Sequence, residues 1–136
     1  MAKSERQKAK ACAWKWFSKY IRARDCLDTM GDLKHGICIT CDNVIRFEKM
    51  DAGHFIPGRS DAVLFDEHNT HGQCVSCNRF KQGMWVSYEK ALLSKYGFAE
   101  VARLKELYFT DVKLTELEFR EIADYYRMKY KGVCNG

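Results

Sequence analysis

Two cysteine knuckles with the same two-residue gap, Cys38-Ile-Thr-Cys41 and Cys74-Val-Ser-Cys77, constrain this chain more than anything else in it. A two-residue gap lets a tight turn aim both sulfurs of a pair at one ion, and tetrahedral zinc takes four thiolates. The spacing therefore predicts one structural Zn²⁺ held by Cys38, Cys41, Cys74 and Cys77. The 32 residues between the pairs exceed the common finger spacing, so a compact finger is excluded and something must fold inside the loop. That loop carries Asp51-Ala-Gly-His54, and Asn78 directly follows the last cysteine. Together they suggest a second, catalytic metal site built on the zinc-stapled scaffold.

The rest of the chain frames this centre. Residues from about Ser4 to Leu27 lack Gly and Pro, and Trp14, Phe17, Tyr20, Ile21 and Arg24 recur at three- and four-residue steps, predicting an amphipathic helix that ends before Gly31. His35 to Cys41 and Val44 to Phe55 read as extended segments around a turn at Asp42-Asn43, hence a β-hairpin. Pro57 opens an expected surface loop running to about Asn69. A short helix from Val75 to Gln82 should stop at Gly83, and Ser87 should cap a helix through Tyr96. Phe98 to Tyr108 continues helical, and the capping box of Thr115 and Glu118 starts a last helix to about Lys131. The expected class is α+β, one domain over residues 1–136: a basic helix (1–34), a zinc-supported centre (35–83) and a helical C-terminal part (84–136).

Charge and composition narrow the function. A 46% hydrophobic, 13% aromatic chain argues against disorder. The polar, basic N-terminus predicts neither a secretory signal nor a membrane span, and an odd cysteine count fits a reducing compartment, so a cytoplasmic protein is expected. The net charge of +5 lies wholly in residues 1–34, with nine Lys and Arg against four acids. Interleaved with Trp14, Trp16 and Tyr20, that excess suits a polyanion, and nucleic acid is the obvious one; a solvated helix face is the competing reading.

Hairpin, loop, then helix, with a His on the hairpin and an Asn on the helix, is the order of the ββα-metal or HNH nuclease motif. Phosphodiester hydrolysis needs a base, and an imidazole with a pKa of about 6.5 suits it near neutral pH, which assigns His54 to water activation. Asp51 and Asn78 offer oxygen ligands suited to Mg²⁺ or Mn²⁺. Asn69 would tether the loop bearing the base. In a regular strand residues 51 and 54 face opposite sides, so a turn or bulge permitted by Gly53 is expected between them.

The stretches Trp16-Phe-Ser-Lys-Tyr-Ile-Arg-Ala-Arg-Asp25, Cys38-Ile-Thr-Cys41, Asp51-Ala-Gly-His-Phe55, Leu64-Phe-Asp-Glu-His-Asn69, His71-Gly-Gln-Cys74 and Cys77-Asn-Arg-Phe-Lys81 resemble the phage NinG family, also called Rap recombination proteins. The resemblance spans about Trp14 to Leu104. It implies a structure-selective endonuclease acting on branched DNA, such as Holliday junctions and displacement loops, in an infected bacterial cell. It also makes a homodimer the expected assembly, since two opposed sites can cut two strands of one junction. Where HNH sequences commonly put Asp or His before the base, this chain has Gly53, and where they commonly end on His it has Asn78.

Lys8, Lys15, Lys19 and Arg22 on the first helix, with Arg59, Arg79 and Lys81 beside the centre, are the expected DNA contacts. His68 and His71 could touch phosphate or the metal shell, and His71 is expected to hydrogen-bond a thiolate. Asp66 and Glu67 read as a solvated pair; Cys12, Cys26 and Cys134 as buried or half-buried thiols; Tyr88, Leu92, Leu104 and Tyr125 as core. Two other functions remain open: a non-catalytic zinc-dependent DNA-binding accessory module, and a sequence-specific HNH endonuclease.

Overall fold

The computed structural model describes residues 2–135. The first helix, α1 (Glu5–Met30), starts where Ser4 and Gln7 close a reciprocal capping box and stops where Gly31, at φ 73°, turns left-handed and donates its N–H to the Leu27 carbonyl. Between those signals nothing interrupts the backbone ladder. Ala9, Ala13, Phe17, Tyr20 and Ile21 are buried along one side of it. The last helix, α5 (Glu116–Asn135), is capped as expected by Thr115 and Glu118 and lays Phe119, Ala123 and Tyr126 against that side. Phe17 meets the Tyr126 ring edge-on at 4.8 Å and Phe65 at 5.6 Å, so aromatic packing forms the core of the helical frame.

Four short strands carry the centre. β1 (His35–Ile37) and β2 (Val44–Arg46) pair antiparallel across the first knuckle, which is closed by the Cys38 N–H donating to the Asn43 carbonyl. β3 (Met50–His54) pairs with β4 (Thr70–Cys74), from Met50 opposite Cys74 to His54 opposite Thr70. The sequence does not announce β4. Thr70, His71 and Gln73 are polar, yet all three are buried: the Thr70 hydroxyl donates to the Asp66 carbonyl, His71 bonds the Tyr96 hydroxyl, and the Gln73 Nε2 donates to Thr40 and the Gly83 carbonyl, while its Oε1 has no partner among the described residues. The Asp25 carboxylate accepts the Gly72 N–H at 2.7 Å, and the Arg24 guanidinium donates to the Glu67 and Thr70 carbonyls, so α1 clamps this strand directly.

The segment expected as a surface loop is partly interior. It contains a helical turn, α2 (Asp61–Leu64), with Asp61, Val63 and Leu64 buried. Asp61 accepts Arg6, Lys10 and the Leu114 N–H, tying the loop to both helices where they begin, at one end of the frame. Asp66 and Glu67 are not a solvated pair: Asp66 takes Arg103 and the N–H groups of His68 and Asn69, while Glu67 takes Tyr126 and Lys129.

After the second knuckle the chain makes one wide helical turn (Ser76–Phe80), then a tight left-handed one through Gln82, Gly83 and Met84. Helix α3 (Trp85–Tyr96) leaves that turn directly, so Ser87 lies inside it and caps nothing. With α4 (Phe98–Glu106) it buries Tyr88, Leu92, Val101 and Leu104 against Phe55. Tyr125, expected in the core, is 54% exposed, since Tyr126 takes the inward position of α5. Cys26 is buried, whereas Cys12 and Cys134 are exposed. Among the described residues, no helix is long and apolar enough to cross a membrane. The chain is thus a mixed α+β fold, as its sequence predicts.

Candidate functional site

The knuckles converge. The four sulfurs of Cys38, Cys41, Cys74 and Cys77 all lie within 4.8 Å of one another. The Sγ atoms of Cys41 and Cys74 are 3.8 Å apart, which is the edge of a tetrahedron with metal–sulfur bonds of about 2.3 Å. Backbone N–H groups of Cys74 and Cys77 point at the sulfurs of Cys38 and Cys74. Burial penalises the Cys38 thiolate, but hydrogen bonds from Thr40 and the Cys74 N–H outweigh it and bring the thiol down to about 7. Four such cysteines could hold a zinc ion.

Beside this cluster a polar cleft of about 560 Å³ follows the unpaired edge of β3, with Asp51, His54, Asn78, Arg22, Arg59 and Arg79 among its walls. The expected bulge is absent, because β3 keeps an unbroken register with β4. Side chains of both parities reach the cleft because it wraps the edge of the strand. Gly53 is needed for a different reason: a Cβ there would sit 1.9 Å from Gln73 Oε1 and 3.0 Å from Asn78 Oδ1. Its missing side chain lets Asn78 close over the strand. The Tyr88 hydroxyl donates to the Gly53 carbonyl at 2.8 Å and fixes the strand from beneath.

His54 is oriented from two sides. Its Nε2 lies 3.2 Å from the Leu64 carbonyl, which assigns the proton to Nε2 and leaves the Nδ1 lone pair available. Its ring stacks on Trp14 at 5.1 Å. Burial lowers its pKa, the Leu64 carbonyl partly opposes that, and Arg59 adds to it, so the ring is neutral at pH 7. Asp51 accepts both Nε and Nη2 of Arg79 at 2.9 Å, and Asn78 Nδ2 at 3.0 Å. A cation therefore already rests on this carboxylate.

Asn69 does not line the cleft. It is fully buried, accepts the Ile56 N–H, and donates to the Ile56 and Val63 carbonyls, tethering the loop that follows His54. His71 bonds the Tyr96 and Tyr88 hydroxyls and touches no thiolate, correcting the expected contact. His68 pairs with Glu100 and stacks on Tyr96, away from the cleft.

The basic residues divide. Arg6, Lys10 and Arg24 serve internal bonds, so the sequence surplus overstates the free charge. Lys8, Lys15, Lys19 and Arg22 share one face of α1 at helical spacing, beside Trp14 and Ser18 of the cleft wall. Lys15 and Lys19 lie over the Trp16 ring, and Arg22 over Phe47. Arg59 lies 5.7 Å over Trp14, and Lys81 is exposed. Trp14 and Ser18 join the site with a single sequence signal, the successive four-residue steps from Trp14 to Ser18 to Arg22.

A family model described as Bacteriophage Lambda NinG protein matches residues 1–135. Protein ninG of Salmonella phage P22 is 34% identical over 97 residues, 71% of this chain and 47% of that protein. Protein ninG of Escherichia phage lambda is 31% identical over 99 residues, 72% of this chain and 48% of that protein. The chain spans about half the length of the curated relatives it matches. No solved structure matches it.

Proposed function

The chain belongs to the NinG family of bacteriophage lambda-like proteins, and from that membership and the β3 cleft we propose a structure-selective DNA endonuclease of the HNH, ββα-metal type. Its substrates are branched recombination intermediates, Holliday junctions and displacement loops, cut by divalent-metal-dependent hydrolysis. The observation that carries this reading is the meeting of a carbonyl-oriented imidazole, a carboxylate and a carboxamide in one arginine-lined cleft beside a metal-type cysteine cluster.

The residues divide the work. Zinc on the four cysteines supplies rigidity and no chemistry. Burial and the Leu64 carbonyl keep His54 neutral with Nδ1 free to take a proton from the attacking water. Arg22, Arg59 and Arg79 hold the phosphodiester in the cleft, and the basic face of α1 extends that hold along the backbone. Asp51 and Asn78 Oδ1 are oxygen donors of the kind that would hold Mg²⁺ or Mn²⁺, with Arg79 released from the carboxylate to make room. Such an ion would stabilise the charge that builds on the phosphoryl and leaving oxygens. Asn69 positions the loop after His54 and takes no part in the chemistry.

Divalent-dependent cleavage of a synthetic four-way junction, compared with a linear duplex of the same sequence, tests the proposal. Stoichiometric junction binding without cutting across a Mg²⁺ and Mn²⁺ titration would leave the second reading, a zinc-dependent DNA-binding accessory module. Arg79 favours that alternative by occupying both Asp51 oxygens. Equal cutting of linear duplex at a fixed sequence would instead indicate a sequence-specific HNH enzyme.

A further inference from the structure

His54 and Asn78 have a second side. They also wall an apolar cleft of about 570 Å³, within the roughly 300–1,000 Å³ range of ligand sites, formed with Ile56, Pro57, Gln82 and Trp85. Nothing in the hydrolytic mechanism uses it. We infer that this cleft receives an unpaired nucleobase adjacent to the phosphodiester held in the polar cleft, with Trp85 as its stacking partner. The inference rests on the nuclease reading for the direction in which the strand enters.

Three observations lead there. The two clefts share the walls made by His54 and Asn78, so a strand whose phosphate meets His54 passes its neighbouring base to the apolar side. The cleft is apolar with carboxamides of Asn78 and Gln82 among its lining, which suits a ligand with flat apolar faces and hydrogen-bonding edges. Trp85 is 61% exposed, although it opens a helix whose Tyr88 and Leu92 are fully buried. The backbone holds it there by an unfavourable route: Gln82, Gly83 and Met84 adopt φ of 54°, 77° and 52° in succession, where two of the three are not glycine. Gln73 Nε2 secures this turn by donating to the Gly83 carbonyl at 3.0 Å.

A base inside duplex DNA is paired and stacked, and must leave the stack to enter a pocket of this kind. A base at a branch point or strand discontinuity is already free. The cleft therefore provides a physical selection for branched over linear substrates that acts in binding, apart from the chemical step.

The test uses the zinc-loaded full chain without added Mg²⁺, a forked duplex carrying 2-aminopurine at single unpaired positions flanking the branch, and a linear duplex as control. One position should change its emission on binding. Trp85→Ala should abolish that change and weaken fork binding about 5- to 160-fold, the range of aromatic–base stacking, while linear-duplex affinity, zinc content and circular dichroism stay the same. Trp85→Phe should restore most of the loss. An emission change that persists in Trp85→Ala, or fork affinity equal to wild type, overturns the proposal and assigns the cleft to another ligand. Equal weakening on linear duplex also overturns it. A wild type that binds the fork with the Trp85-dependent signal yet never cuts it once Mg²⁺ or Mn²⁺ is added sinks the nuclease reading and supports the base site on its own.

Discussion

The helical frame and the cysteine-bearing centre are held by different forces. In the frame, α1 and α5 meet through Phe17, Phe119, Tyr126 and small alanines, contacts that tolerate small shifts and add up by area. In the centre, strands of three and five residues bury few apolar side chains, and position comes from directed bonds: cysteine sulfurs converging on one point, Asn69 on its loop, Gln73 on its turn, Asp25 on Gly72. Apolar packing is sufficient for stability, but a proton-transfer geometry must be fixed atom by atom. One helix joins the two regimes. α1 turns Phe17 toward α5 and Trp14, Ser18 and Arg22 toward the cleft, so the candidate chemistry sits on the seam between them.

Removing the zinc should break the comparison most severely. Structural zinc sites contribute about 10–16 kcal/mol, as much as the whole stability of a typical domain, so chelation or Cys74→Ser should unfold the centre and the frame clamped to it. Far-UV circular dichroism against bound zinc checks this, and unchanged helicity in metal-free protein would show that the regions fold independently.

Next in size is His54→Ala, expected on the proposed mechanism to lower cleavage by about 10²- to 10⁴-fold while junction affinity and melting temperature hold. Burial lowers the His54 pKa, so the imidazole remains an effective base below the ordinary value. The acid limb of the rate profile should therefore fall below about pH 6.5. An acid limb above that value would contradict the buried, carbonyl-bound ring. Asp51→Ala should also lose activity, with partial recovery in excess Mn²⁺ if its role is metal binding.

Phe17→Ala addresses the other region. Emptying the site between Phe65 and Tyr126 should cost about 3–5 kcal/mol in denaturant unfolding, with zinc stoichiometry kept. The smallest effect belongs to the surface: reversing Lys8, Lys15 and Lys19 to Glu should flatten the salt dependence of junction affinity by about one unit of slope per lost phosphate contact. An unchanged slope would move the DNA surface to Arg59, Arg79 and Lys81.

What could be read from the sequence follows the same division. Ser4 and Gly31 bracket α1, Thr115 and Glu118 open α5, and the knuckle spacing brings the cysteines together, because each signal is local. Asp51, His54 and Asn78 were likewise legible, and they share one cleft. The misses are long-range. β4 lacks an apolar alternation since the Thr70 carbonyl, the His71 ring and the Gln73 amide nitrogen are met by α1, α3 and the first knuckle, which lie far from it in sequence. Trp14 stacks on His54 across 40 positions, which no periodicity encodes. Tyr125 and Tyr126 differ by one residue of helical phase, enough to exchange an exposed ring for a buried one.

The pairing of α1 with α5 also sets an order in time. The first helix finds its main packing partner in α5, so the frame closes through contacts very distant in sequence, and such contacts form slowly. The second knuckle leaves the ribosome well before α5 does. Metal capture by the four cysteines can thus come first during synthesis, letting α1 seat on Gly72 through its own Asp25 while its aromatic face is still bare. In that interval Phe17, Tyr20 and Ile21 are the exposed apolar surface of a nascent chain, and the half-made protein is at its most prone to aggregate.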